Sequence, residues 1–212
     1  MALAIFLATG VTIQAQDRLT QYKVRNAISV RTPIMNDSIN PKGEKHTKKM
    51  LLQTPVVLHL PDTPMQSLTT DTAGYLSFEK ADKDNKLYLV KTQIRAERFL
   101  KGKLKITSPV RWEVFIDGAS KQVKDAAEDS ITSGSSRDIA LSLEPERDYE
   151  IIIKLLSAAD DKATPTLKCE LIKDEKFKDI PCNLDPEARK RFSLDNTCLL
   201  YTSPSPRDGL LS

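Results

Sequence analysis

At 212 residues, with 40% hydrophobic and 29% charged side chains, the chain has material for one domain of ordinary size with a core of its own. Its formal net charge of +3, from 32 basic and 29 acidic residues, is too mild and too evenly spread along the sequence to argue for nucleic acid or an anionic membrane as partner. With only two histidines, a histidine-rich metal centre is excluded.

The chain opens on MALAIFLATGVTIQAQD. Residues 2–13 are apolar, and the small residue Ala15 predicts signal cleavage between Ala15 and Gln16. About fifteen residues are too few to cross a hydrocarbon core of roughly 30 Å as a helix, so no membrane span is expected. The basic n-region usual in such leaders is missing, and no cysteine beside the cleavage point predicts a lipid anchor. Residues 1–15 are therefore expected to be a signal peptide, and the protein to be exported to a periplasm or the exterior.

Residues 16–53 read as a lead-in segment followed by a short helix. Asn40-Pro41 ahead of GEKHTKKMLLQ predicts the helix, with Asn40 as cap and Pro41 in the first turn. It ends before Thr54-Pro55, where the proline disfavours a helical residue ahead of it. Lys42, Lys45, Lys48 and Lys49 read as its solvated face.

From residue 54 the apolar period becomes two, the mark of strands with one face in a core. Runs occur at 56–60, at 75–78 after Gly74, at 86–94, and at 104–106 after Gly102. In RWEVFIDG, Trp112, Val114 and Ile116 share one face and Arg111, Glu113 and Phe115 the other, while Asp117-Gly118 is a hairpin signal. Residues 121–136 are polar and read as an exposed loop. Alternation returns at Ile139, Leu141 and Leu143, at Tyr149, Ile151, Ile153 and Leu155, and at Leu167, Cys169 and Leu171. Roughly seven short strands separated by turn signals predict a mainly β chain, an antiparallel β-sandwich over 54–180. Trp112, Val114, Ile116, Leu141, Leu143, Ile151 and Ile153 are expected to face inward.

Residues 181–197 read as a linker. The last stretch, 198–212, matches a translated transposase sequencing adapter, CLLYTSPSPRD corresponding codon by codon to the mosaic end and its extension. It is expected to be an unpacked artefact, and the natural sequence to be truncated near Thr197. Discarding Cys198 leaves Cys169 and Cys182, with two readings open: a disulfide in an oxidising compartment, or Cys169 as a small core hydrophobe.

Catalytic signals are sparse. His46 and His59 have no carboxylate or cysteine at metal-ligand spacing. Asp82-Lys83-Asp84-Asn85 starts like a calcium loop but lacks the central glycine and has Gln93 at position twelve, so it reads as a polar hairpin turn. Gly134-Ser135-Ser136 lacks the strand–turn–helix frame of a nucleophile elbow. No catalytic, cofactor-binding or metal residue is nominated. Tyr75 and Phe115 read either as a sugar-stacking platform or as packing aromatics.

The order of segments has a parallel. A helix ending in Leu-Leu, then SPVRWEVFIDG, SLEPERDYEIIIKLL and DPEARKRFSLDNT, resembles the amino-terminal region of large secreted prolyl-oligopeptidase-type (dipeptidyl-peptidase-like) serine peptidases of Bacteroidetes. The resemblance implies an accessory sandwich of jelly-roll or galactose-binding type ahead of a β-propeller and an α/β-hydrolase domain. Residues 190–195 would lead into the first blade, and the catalytic residues would fall beyond Thr197. On this expectation the domain is non-catalytic and positions or gates a peptide substrate, its partners being the missing propeller and hydrolase domains. The alternative expectation is a carbohydrate- or surface-binding sandwich of another exported enzyme or adhesin, with a glycan as ligand.

Overall fold

The computed structural model describes residues 16–30, 52 and 65–184. Among them, strands form two sheets in which every ladder is antiparallel. The smaller sheet runs β1 (Gln16–Arg18), β11 (Thr166–Lys173), β6 (Leu100–Thr107), β9 (Ser136–Leu143), with β4 (Leu76–Ser77) also on β11. The larger runs β3 (Met65–Thr69), β2 (Gln21–Val30), β5 (Asn85–Ala96), β10 (Asp148–Ser157), β7 (Arg111–Ile116), β8 (Ala119–Lys124), with β12 (Cys182–Asn183) also on β5. The protein is an antiparallel β-sandwich.

Period-two alternation accounts for the core. Trp112, Val114, Ile116, Leu141, Leu143, Ile151 and Ile153 are all buried in one apolar cluster fed by both sheets. The seven predicted inward positions hold. The turn between β7 and β8 also forms as expected: Asp117 and Gly118 both have positive φ, 49° and 78°, as a two-residue primed hairpin requires. Ile116 and Ala119 close it as a pair.

Other expectations change. Residues 16–30 are not a lead-in but two sheet strands, β1 and β2. Only Tyr22 and Val24 supply β2's buried inner face, too few apolar positions for the run to stand out in sequence. Between the two strands, fully buried Leu19 carries the chain from one sheet to the other, and the Tyr22 hydroxyl donates to its carbonyl at 3.0 Å. Residues 121–136 are not all exposed loop: β8 continues to Lys124, and Ser135 is fully buried. The 82–85 segment joins β4 to β5 in the other sheet, so it is a crossing between sheets rather than a hairpin turn. At 182–183 the expected linker instead adds β12 to the edge of β5.

β5 and β10 lie at the centre of the larger sheet and are buried on both faces. On the outer face Leu87 and Leu156 pack with Leu52, which is helical and fully buried. The remainder of the predicted helix, the 56–60 run with His59, His46, the leader with Ala15, and residues 185–212 lie outside the described residues.

Candidate functional site

The topology builds a groove from a shared strand edge. β10 pairs along one edge of β5 as far as Arg95. The opposite edge is divided. β2 pairs with it only from Lys23 onward, because residues 19–20 are already crossing from the other sheet. β12 takes over at Arg95 and Ala96. The notch between them is a groove of about 700 Å³, walled by Arg18, Gln21, Arg95, Glu97, Glu146 and the 181–184 segment. A neighbouring hollow of about 520 Å³ shares Arg18 and Cys182 and adds Asp17 and Lys173.

Its walls are fixed by backbone contacts. Glu146 sits at φ 59°, a left-handed conformation uncommon for a residue with a side chain. It is held there by its own amide, which donates to the Ala96 carbonyl at 2.9 Å, and by the adjoining bridge from Pro145 to Ala96. The turn aims the Glu146 carboxylate at Arg95, with which it forms an ion pair, and the Asp148 carboxylate lies 3.9 Å from the same guanidinium. On the other wall the Glu97 amide donates to the Pro181 carbonyl at 3.3 Å. Buried Lys173 donates to the Ile180 carbonyl at 2.7 Å and pairs with Asp17, so the approach to β12 is tied to both β1 and β11.

The groove therefore presents both hydrogen-bond donors and acceptors. Arg95 is neutralised by Glu146. Arg18 is half-exposed and lies 3.9 Å from Glu170, and Glu97 makes no ion pair among the described residues. Such a surface suits a ligand rich in hydroxyl groups, each of which both donates and accepts. It offers no activated nucleophile. Burial pushes the Cys182 thiol up, Asp17 and Glu97 add to the rise, and Lys173 opposes it, so at neutral pH the group is a thiol rather than a thiolate.

Both cysteines are free in the structure. Cys169 lies on the inner face of β11 beside Tyr22, its thiol pushed up to about 12, mainly by burial. In the native protein at neutral pH, iodoacetamide is expected to leave the Cys169 peptide unmodified and to label it fully after denaturation. Peptide mass spectrometry checks this, and rapid native labelling of Cys169 would contradict its place in the core.

The remaining sequence candidates do not converge. The Ser135 hydroxyl donates to the Glu128 carboxylate and also accepts from the Thr132 amide at 2.9 Å. Lys124 anchors the same loop, donating to the Ala126 carbonyl at 2.8 Å and lying 3.6 Å from Glu128, while burial lowers its pKa. Gly134-Ser135-Ser136 is a structural clip, the Ser135 hydroxyl serving as the capping group of the turn. Tyr75 leads into β4 under the Lys168 ammonium at 5.6 Å, whereas Phe115 lies on the outer face of the other sheet near Lys154 at 5.7 Å. They form no common platform. Gln16, on the far side of the predicted cleavage point, opens β1 opposite Ile172.

Sequence reasoning misses the groove because its residues come from four separated segments. The one local signal is Arg18-Leu19-Thr20-Gln21, where a lone leucine among polar residues marks a crossing.

No family model and no curated protein matches the chain. Among solved structures, it is similar to β-glucosidase from Kluyveromyces marxianus in complex with glucose, at TM-score 0.40 and 9% identity. That match covers 75% of this chain and only 17% of the glucosidase. The GH31 α-xylosidase from Xanthomonas citri gives TM-score 0.34 and 7% identity, over 76% of this chain and 17% of the enzyme. The epithelial adhesin 9 A domain from Candida glabrata, in complex with Galb1-3GlcNAc, gives TM-score 0.35 and 6% identity, over 82% and 92%. Likeness at this level identifies neither a family nor a ligand.

Proposed function

We propose that this chain is a carbohydrate-binding β-sandwich module that receives a glycan in the groove beside β12. The supporting observation is the groove itself: an open notch of about 700 Å³ whose walls carry guanidinium, carboxylate and amide groups beside the apolar side chains of Pro181 and Leu184. Hydrogen bonds to charged groups on such walls are worth about 1.5–3 kcal/mol each, enough for the weak binding that a module working by local concentration requires.

Glycan binding is tested by affinity electrophoresis and titration calorimetry against a panel of soluble oligo- and polysaccharides. The double variant Gln21→Ala, Glu97→Ala is expected to weaken binding roughly tenfold, about 1.4 kcal/mol, at an unchanged unfolding midpoint. Failure of the unsubstituted protein to bind any glycan of the panel would sink the reading.

A second proposal, supported by the resemblance in SPVRWEVFIDG and SLEPERDYEIIIKLL, is an accessory domain ahead of a propeller and hydrolase of an exported serine peptidase. The longer parent would then hydrolyse dipeptidyl substrates and be blocked by a serine-directed covalent inhibitor. The 212-residue chain by itself is expected to hydrolyse none. A parent that binds glycans and is inert toward peptides would leave only the first proposal.

A further inference from the structure

Composition spreads the positive charge evenly, but the fold does not. Along β6 and the residue preceding it, FLKGKLK alternates, so Leu100, Gly102 and Leu104 turn to the core while Lys101, Lys103 and Lys105 face out. Successive lysines stand about 7 Å apart, two strand residues. On one side their neighbours on β9 are Ser142, Ala140 and Asp138, so the first two lysines are flanked by small side chains and the lane is open. On the other side Ile172 stands opposite Lys103 and Glu170 opposite Lys105. The row continues through Glu170 to Arg18 on β1, the residue that also walls the groove.

The charges on this face do not cancel. Arg18, Lys101, Lys103, Lys105 and Lys168 outnumber the three carboxylates beside them, Glu170, Asp138 and Asp174, the last with its amide on the Lys101 carbonyl at 3.1 Å. Glu170 is engaged by Lys168 at 2.7 Å, and Asp138 lies 3.7 Å from Lys103. Lys101 and Lys105 have no carboxylate partner among the described residues. At the end of the lane Phe99 is 42% exposed, its ring 5.8 Å from the Lys101 ammonium and braced edge-on by Phe177 at 5.9 Å. The lane thus ends on an aromatic face held beside a cation, next to a row of positive charge.

We propose that the outer face of the smaller sheet is a docking surface for an acidic polysaccharide, whose carboxylate or sulfate groups lie along Lys101, Lys103 and Lys105 while one sugar ring packs on Phe99. The polymer has both components the surface demands: regularly repeated negative charge, and a ring with an apolar C–H face. The inference rests on the reading as a glycan-binding module for the class of ligand, but on different residues from the groove.

The test uses the 212-residue chain and polygalacturonate, followed by affinity electrophoresis at two salt concentrations. The triple variant Lys101→Gln, Lys103→Gln, Lys105→Gln is expected to lose at least about tenfold in affinity, with a shallower salt dependence. An equal change of charge elsewhere, Lys83→Gln, Lys121→Gln, Lys162→Gln, is expected to lose less than about twofold. Phe99→Ala is expected to lose roughly threefold to tenfold for polygalacturonate, with no change for a single-stranded oligonucleotide or for vesicles containing phosphatidylserine. Equal losses from the two triple variants would overturn the inference, since only net charge would matter. So would a Phe99→Ala variant that binds polygalacturonate normally, or tighter binding to oligonucleotide or vesicles than to the polysaccharide. Binding of a neutral glycan abolished by the groove variant, with no affinity for polygalacturonate, would refute this proposal and leave the groove intact; the reverse would retain this proposal and refute the groove.

Discussion

Replacing Trp112 by alanine is expected to destabilise the domain by about 3–5 kcal/mol. Trp112 is the only tryptophan of the chain and is fully buried where β7 pairs with Leu155 of β10 and Lys124 of β8. Removing it strips a large apolar surface from the cluster shared by both sheets. The surrounding strands are tied by ladders on both sides and relax only partly into the cavity. The indole also carries a hidden cost, since its N–H has no hydrogen-bond partner among the described residues. Trp112→Phe therefore keeps much of the burial and removes an unsatisfied donor, and is expected to cost less than about 2 kcal/mol. Urea unfolding followed by circular dichroism separates the two, because the substitutions remove the fluorescence signal. An alanine variant within 1 kcal/mol of the parent would place Trp112 outside the core.

Gly102→Ala is expected to cost about 3 kcal/mol or more, for the opposite reason. Gly102 lies within β6, between Leu141 of β9 and Lys173 of β11. A Cβ there would stand 2.4 Å from the Ile172 carbonyl oxygen and 3.1 Å from the Lys173 Cα. Both are backbone atoms of a paired strand, so no rotamer change relieves the overlap. β6 and β11 would have to separate, with loss of ladder hydrogen bonds. The measurement is a lowered urea midpoint at unchanged denaturant slope. A tolerated alanine, within half a kcal/mol, would mean that the two strands do not approach so closely.

Gly102 shows where local reading stops. In sequence it reads as the residue that opens a strand at Leu104; in the structure it is mid-strand. Nothing in Lys-Gly-Lys says that a neighbouring carbonyl occupies the space of its missing Cβ. The same holds for β2, whose two buried side chains make too weak a pattern, and for β12, two residues that form a strand only because β5 offers an unpaired edge there. The lysine lane is an intermediate case: period two is visible in FLKGKLK, but the small neighbours Ala140 and Ser142 are contributed by register.

What the sequence determined by itself was local and periodic. Alternation set the inner faces of β7, β9 and β10, because successive side chains on a strand point to opposite sides. Asp117-Gly118 set the tight turn, because both positions need positive φ. What only the tertiary structure decided was the order of strands, and with it which distant residues meet. The groove exists because β2 leaves the edge of β5 before that strand ends and β12 returns to fill part of the gap. That event brings together residues 18–21, 95–97, 146 and 181–184. Pairing across such separations carries no trace in any short window of sequence, since its energy comes from closing the sheets over a common core.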